Sequence, residues 1–259
     1  MGRECELKLA LTEEGLARLH RALGPAARLL LQRNHYLDTP AGDLRRSKHG
    51  LRLRLEVPLP PAWLDPPEGA AQRVLLPLPA WADAPGAPLR VARPIADPER
   101  YILSLKGPTT HLGEWADRRD DQAEMSHPIA EMILARGSAV GDLPLPGLIE
   151  LAARLAFTRV DALGASDNLR RVYPVDLGGA SADPAARSRS PFRLEVDSTR
   201  YPGGLIEHEA ELELPQGPAM PDPGEARAAL QAVFARAGVP WTPGERGKYA
   251  RFLERSRLA

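Results

Sequence analysis

Three short stretches place a charge on every second residue. Glu4, Glu6 and Lys8 alternate with Cys5 and Leu7; Arg52 and Arg54 alternate with Leu51, Leu53 and Leu55; and Glu207, Glu209, Glu211 and Glu213 fill alternate positions of the run ending at Leu214. A strand repeats every two residues, so each stretch sends its charges to one face and its other residues, mostly apolar, to the opposite face. The charges are sorted by strand: carboxylates dominate two of them and guanidinium groups fill the third. The same parity adds Glu195 and Asp197 to the acids, and Lys106, Arg170 and Arg193 to the bases. A solvated face with cross-strand ion pairs, each contributing about 0.2–1 kcal/mol, would account for any one strand alone. It accounts poorly for four glutamates in register, because unit charges 4 Å apart interact by about 4 kcal/mol at an effective dielectric near 20. Divalent cations relieve that repulsion, and an all-carboxylate donor set suits Mg²⁺ or Mn²⁺ better than zinc. The planar fork of arginine matches phosphate oxygens. Metal ions and guanidinium groups around one cavity would perform phosphoryl transfer, where positioning and charge neutralisation do most of the work.

Other chemistries find less support. These strands carry no Ser/His pair at a recognisable spacing, so water is the expected nucleophile. Gly247-Lys248-Tyr249 lacks the glycine-rich lead-in of a P-loop. His20, His35, His49, His111 and His127 are scattered and read as surface or capping residues, and His208 has the outward parity of its strand. Lysine plus arginine equals aspartate plus glutamate at 34 each, so the global field gives no reason to expect nucleic acid as a partner. The single cysteine excludes an intramolecular disulfide and a cysteine-rich zinc site. No apolar run approaches the roughly 18 residues of a membrane span, and the first residues are charged. A soluble, cytoplasmic protein without a membrane partner is expected.

The elements that must position these charges follow from periodicity. After the first strand, Thr12 can cap a helix with Glu13 and Glu14 in its first turn and Leu16, Leu19 and Leu23 on its apolar face. Strands are expected at 28–38, 50–57, 101–106, 117–125, 168–177, 191–199 and 205–214. Helices are expected from Pro128 to Arg136, from Leu148 to Phe157, from Pro223 to Gly238 with Asp222 as cap, and over about 244–258. Residues 57–99 hold eleven of the 27 prolines and read as an extended surface insertion within a single domain spanning 1–259. Many strands with helices between them argue for an α+β fold built on an antiparallel sheet or barrel. If the helices cover the apolar side, the charged faces point into a barrel lumen.

Glu4-x-Glu6-x-Lys8 at the N-terminus resembles the ExExK signature of the CYTH superfamily, the triphosphate tunnel metalloenzymes. The further blocks follow in order: Gln32-Arg33-Asn34-His35-Tyr36-Leu37-Asp38-Thr39-Pro40, Leu51-Arg52-Leu53-Arg54, Ile102-Leu103-Ser104-Leu105-Lys106, Asn168-Leu169-Arg170-Arg171-Val172-Tyr173, Leu194-Glu195-Val196-Asp197, Glu209-Ala210-Glu211-Leu212-Glu213 and Lys248-Tyr249-Ala250-Arg251-Phe252. The set is most similar to the inorganic tripolyphosphatase branch and leaves out mainly the proline-rich insertion. The resemblance implies a closed antiparallel β-barrel of about eight strands forming a tunnel, with helices packed outside. It implies hydrolysis of inorganic triphosphate to pyrophosphate and phosphate, with Mg²⁺ or Mn²⁺ held by Glu4, Glu6, Glu211 and Glu213. A register slip of two on the 205–214 strand would make the ligands Glu209 and Glu211 instead. Lys8, Arg52, Arg54, Lys106, Arg118, Arg170 and Lys248 are the implied substrate contacts, and Lys248, Glu124 and Arg52 the expected catalytic groups. On the 117–125 strand, parity points Arg118 and Glu124 inward, whereas a bulge would bring in Asp121. The alternatives are a thiamine triphosphatase or class IV adenylyl cyclase, for which Trp63 and Trp81 of the insertion could stack on an organic group, or a non-catalytic polyphosphate-binding module. The sequence leaves the oligomeric state open.

Overall fold

The computed structural model describes residues 2–59, 100–175, 192–214, 222–244 and 246–258. Most of the proline-rich insertion, with Trp63 and Trp81, lies outside the described residues. In chain order the elements are β1 (Gly2–Leu11), α1 (Glu13–Leu23), β2 (Arg28–Asp38), α2 (Asp43–Arg46), β3 (Gly50–Leu59), β4 (Arg100–Lys106), β5 (Thr110–Leu112), β6 (Trp115–Met125), α3 (His127–Arg136), β7 (Ser138–Ala139), α4 (Pro146–Leu155), β8 (Arg159–Pro174), β9 (Arg193–Arg200), β10 (Ile206–Glu213), α5 (Pro223–Arg236) and α6 (Lys248–Arg255).

Every strand pair is antiparallel, and the order β1-β10-β9-β8-β2-β3-β4-β6 returns to its start because β1 also pairs with β6. The result is a closed eight-stranded barrel, as expected. Its outer face carries the alternate apolar residues and is covered on two sides. Leu51, Leu53, Leu103 and Leu105 pack with Ile133 of α3 and Leu148 and Leu151 of α4. Leu7, Leu9, Val196 and Leu212 pack with Leu16 and Leu19 of α1 and Leu230 and Phe234 of α5. Both covering helices α1 and α5 start as the sequence predicts. The Thr12 hydroxyl accepts a hydrogen bond from the Gly15 amide at 3.0 Å, and the Asp222 carboxylate accepts one from the Glu225 amide at 3.0 Å, with Pro223 opening its helix.

The sixth helix departs from the outside-only arrangement. α6 crosses one mouth of the barrel, burying Phe252 against Tyr36 and Tyr201. Gly164 on β8 makes room for it: its φ is +148°, and a β-carbon there would lie 3.2 Å from Phe252 Cζ.

Four expected boundaries move. β8 begins at Arg159, nine residues before 168, because Ala162, Leu163, Gly164 and Ala165 offer no alternating apolar signal and the register with β2 shifts between Tyr36 and Leu37. Residues 57–59 belong to β3 rather than to the insertion, and Leu59, Pro58 and Val57 pair with Leu29, Leu30 and Leu31 of β2. The last helix starts at Lys248 rather than near 244. The Ala10 amide donates to the Thr242 carbonyl and the Gly244 amide to the Lys8 carbonyl, each at 2.8 Å, holding that segment extended along β1. The strand expected to 177 ends at Pro174, and 176–177 lie outside the described residues.

Candidate functional site

Inside the barrel lies a cavity of about 680 Å³ lined by twelve basic and seven acidic side chains. A chain of net charge zero therefore concentrates positive charge where an anion can be surrounded. The strands supply these residues in register. Glu6 lies opposite Glu213 and Lys8 opposite Glu211 across β1 and β10; Glu211 faces Glu195 and Glu209 faces Asp197 across β10 and β9; Asp197 faces Arg170 on β8. On the other half of the ring, Arg54 faces Asn34 on β2 and Ile102 on β4.

The acids form two groups. In the first, Glu4 accepts from Lys106 at 2.6 Å and from Arg118 at 2.8 Å, while Glu6 pairs with Lys8 at 3.0 Å and also with Arg118. Burial alone would raise the Glu4 carboxyl, but Lys106 and Arg118 outweigh it and hold it well below the usual range. In the second, Asp197, Glu209 and Glu211 bring one carboxylate oxygen each to within 4.8 Å of one another, all three side chains buried. Lys248 of α6 stands among them, 2.8 Å from Asp197 and 3.0 Å from Glu211, and also touches Glu209. Against the cost of burial, Arg170 and Lys248 keep Asp197 ionised, with its carboxyl held at about 2. Glu213 differs: burial, followed by the charges of Glu4 and Glu195, pushes its carboxyl up to about 7.

The bases divide in a complementary way. Lys8, Lys106, Arg118, Arg170 and Lys248 all touch carboxylates. Arg52 and Arg54 on β3 stand apart. Among the described residues Arg52 has no ion pair, and its buried Nε has no hydrogen-bond partner. Arg54 donates to Asn34 Oδ1 at 3.1 Å, and its nearest carboxylate, Glu56, is 3.8 Å away. Glu56 is already held by Gln32 at 2.8 Å and by Arg100 at 2.6 Å. Burial first, then repulsion from Arg52 and Arg170, push the Arg54 guanidinium down to about 9. Arg52 thus lacks a counter-anion among the described residues, and Arg54 has only a distant, shared one, which leaves positive charge on this wall of the cavity.

Every expected phosphate contact, Lys8, Arg52, Arg54, Lys106, Arg118, Arg170 and Lys248, lines this one cavity, together with Glu4, Glu6, Glu211 and Glu213. Glu124 is not among the lining residues. It shares the inward parity by pairing with Ile102, but it lies at the strand end, where its side chain is 74 % exposed and reaches Arg100. Asp121 faces outward, accepting from Arg119 at 2.8 Å, and no bulge interrupts β6 in its pairing with β1 or β4. Among the described residues no serine, cysteine or histidine lines the cavity, and its hydroxyl groups are those of Tyr36, Thr109 and Tyr249. Three features escaped the sequence reading. Asp197, counted from parity among the inward acids but not among the expected metal ligands, converges with Glu209 and Glu211. A buried relay runs from Thr199 through Asn168 and Gln32 to Glu56, bridged at 3.0, 2.9 and 2.8 Å. Arg45 and Lys48, from the turn after β2, also reach the cavity.

The hard oxygen donors of Asp197, Glu209 and Glu211 suit a divalent cation, and the Lys248 ammonium among them shows that this point demands positive charge. Glu4 and Glu6 face the same space and can contribute.

A closed antiparallel barrel whose lumen sets acids on some strands against guanidinium groups on others defines a tunnel fold. The chain belongs to the CYTH domain family, whose sequence profile matches residues 2–220. Among solved structures it is similar to HpAC1 of Hippeastrum, an adenylyl cyclase candidate for which a dominant triphosphatase activity is described, at 21 % identity and a TM-score of 0.67 over 97 % of this chain and 95 % of that one. It is similar to an adenylate cyclase candidate of Bacillus halodurans at 18 % identity and a TM-score of 0.59, over 97 % and 99 % of the two chains. A Pyrococcus horikoshii protein, PH1819, matches at 15 % identity and a TM-score of 0.51, over 97 % and 98 %. At these identities the likeness concerns the fold. A comparison with curated proteins finds no match. Among the described residues no helix is long and apolar enough to cross a membrane.

Proposed function

We propose that this protein is a metal-dependent triphosphatase that hydrolyses inorganic tripolyphosphate to pyrophosphate and phosphate inside the barrel. The observation that carries the reading is Arg52, which has no ion pair among the described residues, beside Arg54, whose nearest carboxylate is 3.8 Å away; both line a cavity that Glu211 of the three-acid group also lines. In this reading Arg52 and Arg54 bind phosphate oxygens from β3, while Arg170, Lys8, Lys106 and Arg118 bind from the neighbouring strands. Negative charge grows on the leaving pyrophosphate as the P–O–P bond breaks, and Arg52 is placed to take it up. Lys248 reaches the phosphate at the α6 end. Glu211 with Asp197 and Glu209, and Glu4, Glu6 and Glu213 around them, would hold Mg²⁺ or Mn²⁺, which supplies Lewis-acid neutralisation of the phosphate oxygens. Water completes the balance: its oxygen bonds to phosphorus, its proton is released, and the anhydride oxygen leaves with the electron pair. Glu124, exposed at the rim, belongs to this machinery only if substrate extends to that end. The partner is a small triphosphate rather than nucleic acid or membrane, and a cytoplasmic location suits it.

A second reading takes an organic triphosphate. Leu30, Ile102 and Val172 give the cavity an apolar patch that an inorganic chain would not use, and the names of two structural neighbours mention cyclase activity. The test is a panel of tripolyphosphate, thiamine triphosphate and ATP with Mg²⁺ or Mn²⁺, scoring released phosphate and cyclic AMP. The proposal expects tripolyphosphate to be hydrolysed fastest. Preference for an organic substrate would replace it with the second reading, and absence of all turnover beside tight polyphosphate binding would leave a binding module.

A further inference from the structure

Lys248 is the first residue of α6, and its side chain is only 10 % exposed. Its ammonium contacts Asp197, Glu209 and Glu211, the same three carboxylates whose oxygens converge. An ammonium and a divalent ion cannot share that point, since both would sit within about 3 Å of the same oxygens and repel each other strongly at low dielectric. The rest of α6 is held independently. Phe252 is fully buried against Tyr36, and Arg251 pairs with Glu207 at 2.8 Å. Beside Gly247, the residue before Lys248, a β-carbon would meet nothing closer than Arg118 Nη1 at 3.9 Å, so there is open space next to the start of α6.

We propose that Lys248 is the resident counter-cation of the Asp197–Glu209–Glu211 group, and that a divalent ion enters there only by displacing its ammonium, which then turns toward the anionic substrate. The proposal rests on the metal-dependent reading above and adds an order: the divalent ion first, then the phosphate chain. It also explains how three buried acids are tolerated before any ion arrives, because the helix brings its own positive charge.

The test is Mn²⁺ binding to the full chain without substrate, measured by calorimetry on wild type, Lys248→Met and Lys106→Met. Lys106 is a cavity cation bound to Glu4 rather than to the three acids, so it controls for the loss of one charge. Lys248→Met is expected to tighten Mn²⁺ at least about tenfold, and Lys106→Met by less than about threefold. Equal tightening by both variants, or no change in Lys248→Met while wild type binds Mn²⁺, would overturn the displacement and leave the metal-dependent reading standing. Failure of all three proteins to bind Mn²⁺ would end both. A readout on unaltered protein is acetic anhydride labelling followed by mass spectrometry. Mg²⁺ should raise Lys248 labelling several-fold and leave exposed Lys48 unchanged; protection of Lys248 that Mg²⁺ does not alter would refute the displacement.

Discussion

Replacing Arg52 with methionine should make the protein more stable and much less active. Arg52 and Arg54 are two residues apart on the inward face of β3, which puts their Cα atoms about 6.7 Å apart. At an effective dielectric near 20, two unit charges at that distance repel by about 2.5 kcal/mol. Glu56, 3.8 Å from Arg54, offsets part of this, but Gln32 and Arg100 share that carboxylate and Arg52 has no ion pair of its own among the described residues. Methionine keeps most of the volume and removes one charge, so ligand-free stability should rise by about 1–2 kcal/mol, or about 2–8 °C in Tm for a chain of this size. Tripolyphosphate hydrolysis should fall by about two to three powers of ten, the usual loss on removing one group that stabilises developing charge. Thermal melts with and without tripolyphosphate, beside a phosphate-release assay, read both quantities. The ligand-induced rise in Tm should shrink in the variant, since binding to the native state alone raises stability by mass action. A variant that melts lower than wild type and still turns over at the wild-type rate would refute the claim that β3 carries an uncompensated charge for the substrate.

Three more expectations can be checked with the same material. Glu211→Gln leaves Lys8, Arg170 and Lys248 short of a shared partner, so it should cost about 3–5 kcal/mol of stability and abolish most metal-dependent turnover, read by urea unfolding and phosphate release. Burial pushes the His20 ring down to about 3 and the His35 ring down to about 4, each helped by a nearby arginine. Below about pH 6.5 the unfolded chain takes up protons that the folded chain refuses, so this stability is complete above about 6.5 and is lost as pH falls toward about 4. A His20→Gln/His35→Gln double variant should show a flatter decline than wild type; the difference isolates the two rings from Glu213, which pulls the other way over the same window, and equal slopes would refute it. The Asp38 carboxylate, fully buried, accepts from the Thr39 and Leu44 amides at 2.8 and 2.9 Å and from Arg45, fixing the turn that carries Arg45 and Lys48 to the cavity. Asp38→Ala should lower stability by about 2 kcal/mol and raise KM more than it lowers kcat, as urea unfolding and steady-state kinetics would show.

Much of the barrel was legible because period-2 alternation survives wherever a strand has one apolar and one charged face. β2, β3, β4 and β6 all fall within two residues of their expected bounds. The first half of β8 was not legible, since alanine and glycine carry no face preference and a bulge breaks the period. The charged inventory of the lumen was equally readable from parity. Its internal pairing was not, because which base meets which acid depends on how far neighbouring strands are staggered. That stagger puts Glu4 against Arg118 and Lys106, and leaves the three convergent oxygens to Asp197, Glu209 and Glu211. Lys248 was expected at the phosphate; its place among the acids comes from α6 crossing the mouth, an arrangement that periodicity cannot report.

Because β1 is bonded on one side to β6 and on the other to β10, it gains its second neighbour only once every other stave of the barrel has been made. The ring cannot shut until β10, near the far end of the chain, has been made, a very non-local pairing of the kind that slows folding. Until then Glu4, Glu6 and Lys8 remain wetted, and the lumen's opposed charges meet only when assembly is almost finished. A substitution that weakens the β1–β10 seam would therefore delay completion of the ring as well as weaken it.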